Sequence, residues 1–401
     1  MYKKEAILPP DFEIERGSLI VSNHLRNSDI PILSSVLCRR KGLRFRFPLP
    51  FFATRDDIFG PRFLRDFLKA AAWPPPLPTL VGLVPLRRLL RMLRARPIRR
   101  VREFTLDHAL TALRAAGLGD QPPERVLRPD TLRRMEACCG RVPSTLSALE
   151  RSPRLGAMRG EIWGLRRLRL AAVQRLKPSF RATVDDQLRV LAELLKAGHL
   201  VYLAPEGTIS ETGGMSRIRQ GAARLYMLTQ RPPTIQPLAL SYDPMRRGRL
   251  RAVVRVGTAL TGLEPGDTRA FNATLRRALL SLYTITPSHL VARFLAAGPE
   301  TFTSTMCAAW FERAVQALRE AGLPLDPVLA RVDAAKLVHV RLAWAARHRL
   351  LRREGGCWMN VWWSDAKASM YDAPIRVVTQ LDTGFGEALS LMPELAGRIQ
   401  P

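Results

Sequence analysis

Two short apolar runs, each spilling into a polar loop, constrain this chain more than any other feature. Residues 18–22 (SLIVS) run straight into Asn23-His24-Leu25-Arg26-Asn27-Ser28-Asp29, and residues 199–203 (HLVYL) run into Ala204-Pro205-Glu206-Gly207-Thr208-Ile209-Ser210. Runs of this length are too short for a free-standing helix and suit strands buried on both faces, as in a parallel sheet. Further strand-like runs fall at 43–52, 80–86, 234–242 and 250–256. Helical patterns follow the first loop to Leu37 and recur at 62–72, 184–197 and 267–283. Strands alternating with helices predict an α/β domain.

Two stretches depart from that alternation. Residues 103–177 carry mostly helical patterns broken by polar and proline-bearing turns, and residues from 286 onward read mainly helical before a segment with Trp358, Trp362 and Trp363. The expected organisation is a core from 1–102 and 178–285, a helical insertion at 103–177 and a helical C-terminal extension at 286–401.

Charge narrows the partners. The chain of 401 residues has 63 Lys+Arg against 35 Asp+Glu, a formal net charge of +28, and only eight of the basic residues are lysine. Arginine offers a planar fork of donors that fits phosphate and carboxylate. An anionic partner follows: a phospholipid surface, nucleic acid or an acidic carrier protein. With 47% hydrophobic residues the chain builds a core and is no disordered basic tail. The five cysteines, two of them the adjacent Cys138 and Cys139, show neither a disulfide framework nor zinc spacing. The first residues lack the apolar core of a signal peptide. Prolines at 74, 75, 76, 78 and 85 interrupt the apolar stretch at 70–86, which excludes a continuous spanning helix there. The expected place is the cytoplasmic side of a membrane, peripheral to it.

His24 and Asp29 are the first chemical candidates. A turn between them folds the carboxylate onto the imidazole, fixing one ring nitrogen and leaving the other to take a proton. The structural alternative is a chance spacing, because short motifs carry many false positives. In the second loop Gly207 permits close backbone approach, Thr208 and Ser210 supply hydroxyls, and Glu206 is a lone carboxylate; an ordinary turn is the bland reading. Arg87 and Arg88 end the run at 80–86 and suit a phosphate, or else begin a solvated basic face. The other histidines, His108, His199, His289, His339 and His348, show no ligand spacing and read as structural or surface.

Taken in order, these features resemble the glycerolipid acyltransferase family, which contains lysophosphatidic acid and glycerol-3-phosphate acyltransferases. His24 and Asp29 are similar to its H-x4-D motif, Gly82 to Arg88 to its second, and Pro205 to Ser210 to its P-E-G-T-x-S third. Ile218 to Ala222 resembles the continuation, and Ile235 to Leu240 the fourth motif. The resemblance covers roughly residues 19–100 and 178–283. It implies a mixed sheet flanked by helices and transfer of a fatty acyl group from acyl-CoA or acyl carrier protein to a glycerolipid hydroxyl, with a lysophosphatidate-type acceptor. His24 would be the general base, oriented by Asp29. Arg88, with Arg87 and Arg219 helping, would bind the acceptor's phosphate, and Glu206, Gly207 and Thr208 would shape its site. The thioester is a co-substrate, and no metal or resident cofactor is expected.

Two departures bear on specificity and location. Ala204 and Ile209 stand where the family has an aromatic residue and an arginine, so a phosphorylated acceptor is less secure. Glycerol-3-phosphate, or another lipid hydroxyl or amine, therefore remains an alternative, as does a non-catalytic basic protein that binds anionic membrane or, less readily, nucleic acid. Little chain precedes His24, so membrane docking is expected elsewhere. Leu165, Leu168, Ala172 and Leu176 form a helical stripe among Arg166, Arg167, Arg169, Arg175 and Lys177, with Trp163 at its start. It suits either an interfacial helix or a helix packed on the core.

Overall fold

The structure is a computed structural model that describes residues 3–9, 12–26, 28–37, 40–41, 44–45, 49–55, 86–99, 103–152, 154–155, 158, 162–229, 231–264, 266–361 and 373–401. The helix expected at 62–72, the Gly82–Pro85 part of the second motif, Asn27, Trp362 and Trp363 lie outside the described residues. The chain divides into two compact units, one of residues 1–50 with 198–401, the other of residues 51–197.

The first unit is built on five strands: β1 Lys3–Ile7, β2 Leu19–Ser22, β3 Val201–Leu203, β4 Ile235–Asp243 and β5 Arg251–Val256, in the spatial order β1-β5-β4-β2-β3. Only the β4–β5 pair is antiparallel; β1–β5, β4–β2 and β2–β3 are parallel. The α/β class and the mixed sheet therefore stand as expected. Every residue of β2 and β4 is buried, which is why neither alternates between apolar and polar faces. Helix α1, Asp29–Leu37, follows the loop after β2 and turns Ile32, Leu33 and Leu37 inward. Helix α2, Gly221–Leu228, follows the loop after β3. Helix α3, Thr268–Leu280, starts where Asp267 accepts from the backbone N–H groups of Arg269 and Ala270 at 2.8 and 3.1 Å, a standard N-cap.

The C-terminal segment is helical as expected and belongs to this same unit. It contains α4 Pro287–Ala297, α5 Ser304–Glu320, α6 Ala334–Arg347 and α7 Ala373–Leu389, with a hairpin of Leu351–Glu354 and Cys357–Asn360. Its helices share one apolar core that includes Leu295, Phe311, Leu342 and Phe385. Two buried arginines bind it to the sheet. Arg251 of β5 pairs with Asp326 and Glu5, and Arg341 of α6 pairs with Asp243 of β4 at 2.6 Å.

The second unit holds a parallel strand pair, Phe51–Arg55 with Ala95–Ile98, and the helices Leu86–Met92, Leu106–Leu113, Pro129–Cys139 and Leu170–Lys196. One expectation is corrected here, and one choice between two open readings is decided. The run expected to remain extended through Leu86 has already turned helical at that residue, so Arg87 and Arg88 occupy the first turn of a helix rather than a strand end. The apolar stripe from Leu165 to Leu176 is not an interfacial helix. Residues 165–167 form a single 3-10 turn, the helix begins at Leu170, and Leu168, Ala172 and Leu176 are buried in a core with Leu106, Leu110 and Phe180. Arg166, Arg169, Arg175 and Lys177 are exposed on the opposite side, the ordinary amphipathic arrangement. The long helix also passes unbroken through Pro178, where the end of the insertion was expected. Among the described residues no helix is long and apolar enough to cross a membrane.

Candidate active site

The loop after β2 is tied down at both ends before any chemistry is considered. Asn23, buried, pairs its side-chain amide with the backbone of Leu240 in both directions, at 2.9 and 2.8 Å. This copies one rung of a strand ladder and fixes where His24 leaves the sheet. The His24 N–H donates to Glu206 Oε1 at 2.9 Å, and the His24 carbonyl accepts from Ser210 N–H at 2.8 Å. The two loops singled out in the sequence, 182 positions apart at His24 and Glu206, are therefore tied together through the His24 backbone.

Asp29 folds back onto His24. Its Oδ2 lies 2.9 Å from His24 Nδ1 and also accepts from the N–H groups of Leu25 and Arg26 at 2.7 and 2.9 Å. Its Oδ1 accepts from the Tyr242 hydroxyl at the end of β4. Fully buried, Asp29 has exchanged water for four donors, which is what a buried carboxylate needs to stay ionised. An ionised Asp29 calls for a proton on Nδ1, leaving the Nε2 lone pair of His24 as the base, on a side chain still 16% exposed. Tyr242 is held to its neutral form, because burial first, then the Asp29 charge, pushes its ionisation far above the ordinary value.

Glu206 acts through the backbone. It is 1% exposed, and its two oxygens accept from His24 N–H and, at 2.6 Å, from Ser216 N–H. Burial lifts its pKa from 4.5 to about 7 against the pull of those two donors. Gly207 follows at φ +69°, and a Cβ there would stand 3.2 Å from Arg219 Cδ. Arg219 is spent on the same loop: its Nε donates to the Glu206 carbonyl at 2.9 Å and its N–H to that of Pro205 at 2.9 Å. Thr208 is partly exposed.

The structure thus gathers His24, Asp29, Glu206, Gly207, Thr208 and Arg219 in the first unit. Arg88 is exposed on its helix in the second unit, and the side chain of Arg87 lies outside the described residues. Sequence reasoning missed Tyr242, which sits 213 positions from Asp29. It missed Arg26 as well, which stands in the quoted motif but without a role.

A family model described as Acyltransferase matches residues 155–241. The matched span holds the Pro205–Ser210 loop and most of β4, and leaves out His24 and Asp29. No curated protein matches the chain.

Proposed function

From the premise that this chain carries an acyltransferase domain of the glycerolipid acyltransferase family, we propose that it acylates a glycerolipid precursor at a hydroxyl, with a lysophosphatidate-type acceptor and a thioester of coenzyme A or acyl carrier protein as donor. The observation that carries the reading is the dyad: His24 Nδ1 bound to a buried Asp29, with Nε2 left open. In this mechanism the acceptor O–H gives its proton to Nε2 as the oxygen attacks the thioester carbonyl. The C–S bond then breaks and the leaving thiolate takes the proton back, so the histidine ends as it began. Asp29 holds the ring and stabilises the transient imidazolium. The tightly bound loop backbones keep the base from drifting, which matters because misplacement by 1 Å costs orders of magnitude in rate. No resident cofactor or metal is assigned a part.

The proposed place of work is an anionic membrane surface, and its support lies in the second unit. The Leu86–Met92 helix ends on Met92 and is followed by Leu93, 78% and 51% exposed, with Arg88 and Arg91 exposed on the same helix. Apolar side chains framed by arginines suit a headgroup layer.

The test is release of free thiol from a long-chain acyl-CoA and from an acyl carrier protein thioester, each with lysophosphatidate, with glycerol-3-phosphate and with no acceptor. Acceptor-dependent release by the wild type, lost in His24→Ala, is expected. Release that survives His24→Ala would remove the dyad from the chemistry.

A further inference from the structure

Arg26 stands two residues beyond the proposed base, and nothing above gives its side chain a task. Its backbone N–H is one of the donors on Asp29, so the position of the residue is fixed relative to His24. Its guanidinium lies over the ring of Tyr242, 4.9 Å from the centroid. Together with Leu25, Ser210, Gly213, Tyr242 and Pro244 it lines a cleft of about 40 Å³. Among the described residues no carboxylate lies within ion-pair distance of it.

The geometry has a chemical consequence. A guanidinium held over a ring face by its charge keeps its N–H groups for other partners. Those form a fork whose natural counterpart is a pair of phosphate oxygens. The aromatic ring also holds the side chain before any ligand arrives, so less rotamer freedom remains to be lost on binding. The other loop has Ile209 in place of a basic residue, and Arg219 beyond it is anchored by its Nε to the Glu206 carbonyl, which restricts where its guanidinium can reach.

We propose that Arg26 is the anion-binding residue of this active site, and that it holds a phosphate monoester of the acceptor while the acceptor's hydroxyl reaches His24 Nε2. The inference rests on the acyltransferase reading and deepens it. It makes acceptor choice depend on a residue of the first loop, stacked on the tyrosine that also braces Asp29. Phosphate is present on both lysophosphatidate and coenzyme A, so the experiment separates the two sources.

Steady-state kinetics of wild type, Arg26→Ala and Arg26→Lys would be measured with lysophosphatidate and with monoacylglycerol as acceptors, and with acyl-CoA and the acyl-pantetheine thioester as donors. In Arg26→Ala the KM for lysophosphatidate should rise about 10- to 100-fold relative to any change for monoacylglycerol, the worth of a charged hydrogen-bonded contact. Arg26→Lys should recover only part, because an ammonium has no fork. Equal losses with both acceptors would overturn the proposal. So would a loss that follows the donor's phosphates instead of the acceptor's.

If the wild type turns over no pair, the acyltransferase reading fails by itself, and calorimetric titration of the full chain with glycerol phosphate still tests the anion site. Binding lost in Arg26→Ala upholds it, and binding unchanged sinks it. Thermal midpoints of the variants within a few degrees of wild type confirm that the comparison is between folded proteins.

Discussion

At the residue scale the site is a carboxylate with four donors, and the Tyr242 hydroxyl is the donor that can be removed most cleanly. Tyr242→Phe keeps the ring under Arg26 and takes away the hydroxyl that donates to Asp29 Oδ1. Asp29 then loses one of the four bonds that fix its carboxylate against His24 Nδ1, so the base is held less firmly and kcat should fall about 10-fold. An unchanged kcat would make the hydroxyl a packing feature only.

Glu206 gives a second prediction from its raised pKa, about 7 in the fold against 4.5 outside it. Between those values the folded state binds the extra proton, so stability falls as pH rises through the window and stays low above it. The change is on the order of 3 kcal/mol. Glu206→Gln should flatten this dependence in urea denaturation measured from pH 5 to 8. It should also lower activity, because two N–H donors face it and an amide has one acceptor. His24, Asp29 and Glu206 were legible because each lies within a few residues of a strand end. Tyr242 was not, since only tertiary pairing of β4 with β2 brings it to Asp29. Arg26 was in plain view but looked like any of the 55 arginines until its place over the Tyr242 ring was seen, with no carboxylate paired to it among the described residues.

At the scale of elements, the unforeseen feature is how α7 closes on the loop that braces Glu206. Gln380 Nε2 donates to the Glu211 carbonyl at 2.8 Å, and Glu387 pairs with Arg276, which itself donates to the Met215 carbonyl at 2.8 Å. Gly213 lies between them at φ +84°, and a Cβ there would sit 2.0 Å from the Gln380 carbonyl oxygen. Gly213→Ala therefore combines left-handed strain with a backbone clash that no rotamer relieves. It should destabilise the chain by about 2–4 kcal/mol. Because Ser216 N–H holds Glu206, it should also reduce turnover in the protein that remains folded. Urea midpoints and active-site-normalised rates check both halves; a stable, fully active variant would show that α7 is free to move.

The elements that sequence reading found were short apolar runs bounded by polar loops, where burial on both faces leaves a plain signature. Strand β1 escaped it because Lys3, Lys4 and Glu5 look like solvated loop. Its pairing with β5 is instead secured by the Glu5–Arg251 contact from far along the chain. The stripe at 165–176 left two readings open for a different reason. Apolar periodicity states that a face is buried without stating whether lipid or protein buries it, and here Leu106, Leu110 and Phe180 do.

At the scale of the whole molecule, a net charge of +28 must act at long range on whatever the chain approaches. Crowding of like charges is visible locally. The Arg96 guanidinium is held below its usual value by burial, and further by Arg91 and Arg94. An anionic surface relieves that repulsion, at roughly 1 kcal/mol per arginine near it. The field alone has a recognisable weakness, since the screening length shrinks from about 10 Å at 0.1 M salt to about 3 Å at 1 M. Apolar insertion has no such dependence.

The two contributions can therefore be separated on vesicles of mixed zwitterionic and anionic phospholipid. Wild-type binding should fall by about 100-fold between 0.1 and 1 M salt, the worth of two to three arginine contacts, yet keep a residue that salt does not remove. Met92→Glu with Leu93→Glu should abolish that salt-resistant fraction, because it replaces the two adjacent exposed apolar side chains framed by Arg88 and Arg91 and adds repulsion from the headgroups. His24→Ala should bind like the wild type at every salt concentration, since the dyad lies in a different unit from these residues. If the double glutamate variant retains the salt-resistant fraction, the insertion point lies elsewhere in the chain. If wild type binds neutral vesicles as well as anionic ones, charge is not what brings this protein to lipid.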